Sequence, residues 1–367
     1  MDNQMDNQKV LLFRQKNRWG LTVLTLVLST VLLIPVLSLA VMSPQILMLM
    51  PVVLLMLLGF VGPVSAVACC AMFVSLGWVL LGALGGLCAA LFFVPVIAAS
   101  CVTVERRMPF TTGVGVCAGV MLVTMELLMA ILSAAAGTDI VSAISELMRQ
   151  SLGLLEGLAD PLLAAFAQLG IIAAPDGVDL APVLSGTLLD AQARTQMINA
   201  LVYFIDAGLR YELPAQMVTG SLAVGLLGQA VLRRGVLSRG TKVPYMPRRT
   251  WRLPKGWGRV LGVTLAAFYL GAMLLPGRLN SAFYVFGSLF DEIFMLQGVA
   301  ALCYVLHRRG MSRFWQSVVF VAGYFLVGTA AIILGIADQA FDFTHRRAEI
   351  DKAENPYDPF NFRKRQG

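Results

Sequence analysis

From Trp19 to Val104 the chain runs for 86 residues without an Asp, Glu, Lys or Arg. One membrane-spanning helix needs about 20 predominantly apolar residues, so this run has room for several. Hydrophobic residues make up 58% of the 367, and charged residues only 13%, against roughly 25% charged in a soluble domain. Together these values predict an all-α, polytopic transmembrane helix bundle.

Glycine and proline punctuate the run at Ser43-Pro44, Gly62-Pro63 and Gly82 to Gly86, positions that break helices. They divide Gly20 to Thr103 into four tightly connected helices. A fifth spans Thr111 to Ala136, and residues 20–136 form a first transmembrane group. Small residues (Gly82, Ala83, Gly85, Gly86, Ala89, Ala90) let helices approach closely in lipid, where packing drives association. The polar segment 1–19 precedes this group. The apolar stretch after it is too long for a signal-peptide core of about 7 to 15 residues, so it reads as an uncleaved first helix entering from the cytoplasm.

Residues 137–212 differ in kind, with nine acidic and three basic residues. Ile140, Ile144, Leu147, Leu155, Leu158 and Leu162 recur near helical spacing opposite Glu146, Arg149, Glu156 and Asp160. A second such stretch runs from Leu188 to Leu209. The pattern predicts amphipathic helices that rest on the outer surface, or cover a cavity as a lid. A second transmembrane group, 213–337, comprises helices over Leu213–Leu232, Val260–Leu275 and Ala282–Leu306, and a last apolar stretch, Phe314–Ile336. The polar tail covers 338–367. The count is nine spans, within a range of eight to ten.

Between the sixth and seventh spans lies RRGVLSRGTKVPYMPRRTWRLPKGWGR, residues 233–259, with nine basic residues and no acid. The proposed inner segments before residue 314 hold 4, 2, 9 and 3 Lys/Arg, while the outer ones hold only Arg149, Arg194, Arg210 and Arg278. Excess Lys/Arg marks the cytoplasmic side, which places the N-terminus and this loop inside. Nine spans would put the tail outside, whereas its six Lys/Arg, offset by six acids, favour inside. A short hairpin in the last stretch, or one fewer early span, would reconcile the two. The net charge of +7 sits at the ends of apolar segments, where orientation signals belong, so no nucleic-acid partner is expected.

The six cysteines all fall in apolar segments, no CxxC occurs, and His307 and His345 are the only histidines. No zinc or haem ligand set is therefore expected, nor any cofactor. The chain has no P-loop, GxSxG or HExxH motif, so no enzymatic activity is expected.

Three carboxylates are candidates for a substrate or ion site. Glu126 lies midway along the fifth helix, and Asp291 and Glu292 lie about ten residues into the eighth. A charge at such depth costs roughly 2.5 to 3.5 kcal/mol on insertion scales and usually faces the bundle interior. Neighbours on a helix point about 100° apart, so one of the pair is expected to join Glu126. The alternative is a neutral carboxyl hydrogen-bonded to a neighbouring helix. Asp338 and Asp342, four apart, share a helix face and suit an ion pair at the helix end or a partner-docking site. Arg248, Arg249, Trp251, Arg252 and Lys255 are candidates for contact with anionic lipid headgroups, worth about 1 kcal/mol per basic residue near the surface, or with a protein at the cytoplasmic face.

The segment VPYMPRRTWRLP (243–254), Asn280 before a long helix carrying Leu296-Gln297-Gly298-Val299-Ala300, and a last helix closing with Gly335-Ile336-Ala337-Asp338 and Phe341-Asp342-Phe343 resemble the YybS-like family of bacterial integral membrane proteins. In that family a basic residue usually follows Phe-Asp-Phe directly; here Thr344 and His345 precede Arg346. The resemblance implies a multi-pass protein of the bacterial cytoplasmic membrane. Its helix layout is similar to the substrate-binding membrane subunits of energy-coupling-factor transporters, so a transport-related binding subunit is the first functional expectation. A membrane scaffold recruiting partners through its basic loop and tail is the second.

Overall fold

The computed structural model describes residues 50–342, apart from 155, 176–177, 185, 254–255 and 276–278. The segment 1–19, the first expected span, Lys255 and the tail from Phe343 lie outside the described residues. Every regular element among the described residues is helical. Among the described residues, six helices are long and apolar enough to cross a membrane, or seven if one bent pair counts as a single span. The protein is an all-α polytopic membrane protein. It divides into two compact units, one made of residues up to Glu126 and from Gln216 onward, the other Leu127–Ala215.

In the first unit, α1 (Met50–Phe60) is a short apolar helix that ends at Gly62 (φ 143°) before Pro63 opens α2 (Pro63–Glu105). Helix α2 is interrupted at Gly82 (φ 68°, ψ −158°), a conformation that costs glycine little and other residues much. The halves on either side fold back on each other. Phe73 stacks on Phe93 with ring centroids 5.3 Å apart, and a Cβ on Gly77 would lie 2.7 Å from the Gly85 carbonyl oxygen. The break expected between Gly82 and Gly86 is thus a helical hairpin turned on one residue.

Helix α3 (Phe110–Ala136) and the 48-residue α7 (Ala191–Ser238) supply residues to both units. The expected boundary near residue 212, between an amphipathic stretch and a sixth span, lies close to the division of the units at Ala215 but within one continuous helix. One helix carries both patterns, because only Pro214 interrupts its hydrogen-bonding and the loss of one donor does not end it. Leu232 and Val236 of α7 pack with Leu55, Leu58, Cys101 and Val104 in one core cluster.

The chain continues through a 3₁₀ turn (Arg248–Thr250), α8 (Trp257–Leu274), α9 (Asn280–Arg308), α10 (Arg313–Leu326) and α11 (Gly328–Phe341). Helix α8 buries no residue and meets α9 through Phe268 stacked on Phe286 at 4.3 Å. The last apolar stretch is not one straight helix. At Val327 (φ −128°, ψ 31°) the axis turns by 107°, and α11 runs on to Phe341, beyond the expected end at Ile336. No proline marks the turn; one non-helical residue followed by Gly328 suffices.

The second unit comprises the end of α3, α4 (Ile140–Leu154), α5 (Glu156–Gln168), the short α6 (Leu180–Leu184) and the start of α7. Leu163, Ala164, Met197 and Leu201 lie in its own core. Asp160, fully buried, accepts hydrogen bonds from Arg194 Nε and Nη2, both at 2.7 Å, and from the Leu189 N–H at 2.9 Å. Burial alone would raise the Asp160 carboxyl, but these donors outweigh it and hold the carboxyl below its ordinary value. Arg210 pairs with Asp206 at 2.8 Å and Asp139 at 3.3 Å.

Candidate functional site

The two halves of α2 and the end of α1 enclose a groove of about 630 Å³, inside the range of roughly 300–1,000 Å³ of small-molecule sites. Leu58, Ala66 and Cys101 form a buried floor, and Val67 and Val94 stand exposed at the rim. Glu105, the last residue of α2, is the one charged side chain among those lining it. The groove offers contact to an apolar body and a single carboxylate at one end.

Beside this groove, three helices are joined by a buried polar seam. Arg233 of α7 is fully buried. Its Nε donates to Gln229 Oε1 at 2.8 Å, and its Nη1 donates to the carbonyls of Met108 and Pro244, each at 2.8 Å. Its guanidinium also lies 5.8 Å from the Phe110 ring centroid. Gln229 Nε2 donates in turn to Thr103 Oγ1 and Cys117 Sγ, both at 3.0 Å, and Cys117 lies 3.1 Å from Ser100 Oγ. Each side chain of this seam finds at least one partner, as buried polar groups usually do, while Arg233 Nη2 is buried without a hydrogen bond. Arg233 reads from sequence as the first residue of the basic loop. Since α7 extends to Ser238, it is instead inside the helix, one turn beyond Gln229.

The rest of the basic segment folds back onto the bundle. Trp251 is buried between Phe110, at 6.2 Å, and Phe320, at 5.7 Å edge-on, and its Nε1 donates to the Met246 carbonyl. Arg252 lies 3.7 Å from Asp342 across the end of α11. Arg249 Nη1 is 2.8 Å from His307 Nε2. The Leu253 N–H donates to Gln297 Oε1, while Gln297 Nε2 donates to Gln339 Oε1 at 3.0 Å and to the Gly335 carbonyl at 3.3 Å. Trp251 is therefore withdrawn from lipid, and Arg252 has an internal carboxylate partner. Asp338 is fully buried, one helical turn before Asp342.

The three carboxylates expected at membrane depth separate. Glu126 and Asp291 are exposed on the surface of the described residues, so neither shares the buried setting of Glu292. Glu292, 100° around the helix from Asp291, points inward with 8% of its surface exposed. It accepts a hydrogen bond from Tyr324 Oη of α10 at 2.9 Å. The arrangement matches the alternative of a carboxyl hydrogen-bonded to a neighbouring helix. Sequence reasoning missed Tyr324, Glu105 and the Arg233–Gln229 pair; the i,i+4 spacing of the last was the one available signal.

No curated protein and no solved structure matches this chain. Residues 188–339, which hold Arg233, Trp251, Gln297 and the Glu292–Tyr324 contact, match the family described as "Predicted membrane protein (DUF2232)".

Proposed function

We propose that this protein is a non-enzymatic binding subunit of a transport system in the bacterial cytoplasmic membrane, with its N-terminus inside, and that it takes up a lipophilic amine from the bilayer. The observation that carries this reading is the apolar groove of about 630 Å³ with Glu105 as its charged end. Apolar lining suits a molecule that partitions into lipid, and a carboxylate at one end complements a cationic head. The resemblance to the YybS-like family, and through it to energy-coupling-factor binding subunits, supports the transport setting.

The test is binding of a fluorescent lipophilic amine, and of its uncharged analogue, to the full chain in lipid nanodiscs. Ala98→Trp fills the groove and should abolish binding of both; Glu105→Gln should weaken the amine alone. Unchanged binding to the Ala98→Trp protein would sink the proposal.

A second reading, a scaffold recruiting proteins at the cytoplasmic face, is favoured by the exposure of Arg234, Lys242 and Arg259. Reversing these three charges should release such partners without affecting the groove.

A further inference from the structure

We infer that Glu292 and Tyr324 form an intramembrane proton-binding site whose occupancy sets the bend between α10 and α11. Three observations converge on it. Glu292 is the thirteenth residue of the 29-residue α9, near the middle of a helix long and apolar enough to span, and it faces inward. Its hydrogen bond from Tyr324 Oη crosses from α9 to α10. Tyr324 lies three residues before Val327, where the axis turns by 107°. The contact thus ties the fixed helix to the arm of a break. Interrupted helices at membrane depth are where transporters place ion sites, and an inward-facing carboxyl there is a functional-site candidate, proton relays among its uses.

Charged groups nearby offer no substitute for a proton. On α9 itself, Asp291 points outward. Among the described side chains, α8 contributes Arg259, the 3₁₀ turn contributes Arg249 and α9 contributes His307 and Arg308, all at the ends of those elements. Helix α11 contributes Asp338, in its last turn. Tyr324 is the one titratable side chain among the described residues hydrogen-bonded to Glu292. With a proton on Glu292 the site is neutral, and the carbonyl oxygen accepts from Tyr324. When the proton leaves to water, the carboxylate becomes the stronger acceptor for Tyr324 Oη and draws solvent toward the buried charge, and the clasp and the bend rearrange together. Helix α11 stays anchored to α9 through Gly298 and Gly335, so α10 is the arm that moves.

The test uses the full chain in nanodiscs, with spin labels on non-natural residues at positions 315 and 333, both exposed in the wild type, leaving the six cysteines intact. The distance between labels should change with pH in a single-proton transition. Glu292→Gln should abolish that dependence, and Tyr324→Phe should shift its midpoint. An invariant distance across the pH range, an unchanged titration in Glu292→Gln, or a transition that follows sodium at constant pH would each overturn the inference. If Glu292→Gln does not fold, infrared difference spectra of the wild type decide the matter. The protonated-carboxyl band should disappear on raising pH, at a midpoint shifted in Tyr324→Phe; no such band overturns the site. Groove binding is measured independently, so failure here leaves the lipophilic-amine reading standing.

Discussion

Gly298 and Gly335 face each other where α9 crosses α11, and a Cβ built on either would collide with backbone of the opposite helix. The obstructing atoms are the carbonyl oxygens of Ala331 and Phe294. In lipid, where apolar tails compete equally for apolar side chains, such backbone contact is a main source of helix association. Gly335→Ala should push the two helices apart and cost about 1–3 kcal/mol, the range for overpacking. Gly119→Ala, with nothing within 4 Å of its Cβ, should be neutral. Thermal unfolding of the two variants in nanodiscs makes the comparison.

Arg233→Met removes the donor to three acceptors at once: Gln229 Oε1 and the carbonyls of Met108 and Pro244. An acceptor left buried and unpaired costs about 1–3 kcal/mol, so the variant should be strongly destabilised. Arg233→Lys should recover only part of the loss, since an ammonium cannot reproduce the planar fork of donors. Limited proteolysis after Arg239 and Lys242 reads the outcome: cleavage should accelerate in Met and less so in Lys.

Much of the architecture is readable from residues alone, and the reasons are local. Gly62-Pro63 and Gly82 announce breaks because proline and glycine act through the backbone, independent of neighbours. The apolar run needs only counting. The 48-residue α7 is harder, since its pattern passes from one-sided to all-round without a breaker, and hydropathy places a boundary where the backbone has none. The turn at Val327 carries no proline and arises from packing. Among the carboxylates, sequence requires that Asp291 and Glu292 diverge but leaves open which faces inward, since that depends on the phase of the helix. Arg252 and Trp251 look like headgroup contacts because their partners, Asp342 and Phe320, are distant in sequence.

Those partners lead to a contrast between two tryptophans of the basic segment. Trp251 is buried among aromatic rings, whereas Trp257 is 54% exposed. Trp251→Ala should cost about 3–5 kcal/mol, as large-to-small core changes do, while Trp257→Ala should leave stability within about 0.5 kcal/mol, as surface changes usually do. Equal melting temperatures for the two variants would contradict the burial of Trp251.

Asp160 makes the second unit acid-sensitive. Its folded carboxyl lies below the ordinary value, so its stabilisation is fully present above the unfolded value of about 3.9. It is lost as pH falls through that value toward the lower folded one. Hydrogen exchange in α5 and at the start of α7 should therefore rise at acid pH in the wild type. Arg194→Ala should raise it already at neutral pH, because breaking a buried pair costs about 3–5 kcal/mol.

The hairpin in α2 bears on how the chain enters the bilayer. Its two halves meet at Gly82 with no polar connecting loop, so neither can be left in water while the other crosses. A hairpin this tight suits entry as one unit, its halves held together in the folded protein through Phe73 and Phe93. A glycosylation or protease tag inserted at Gly82 would then interrupt biogenesis itself, before any folded bundle exists to be destabilised.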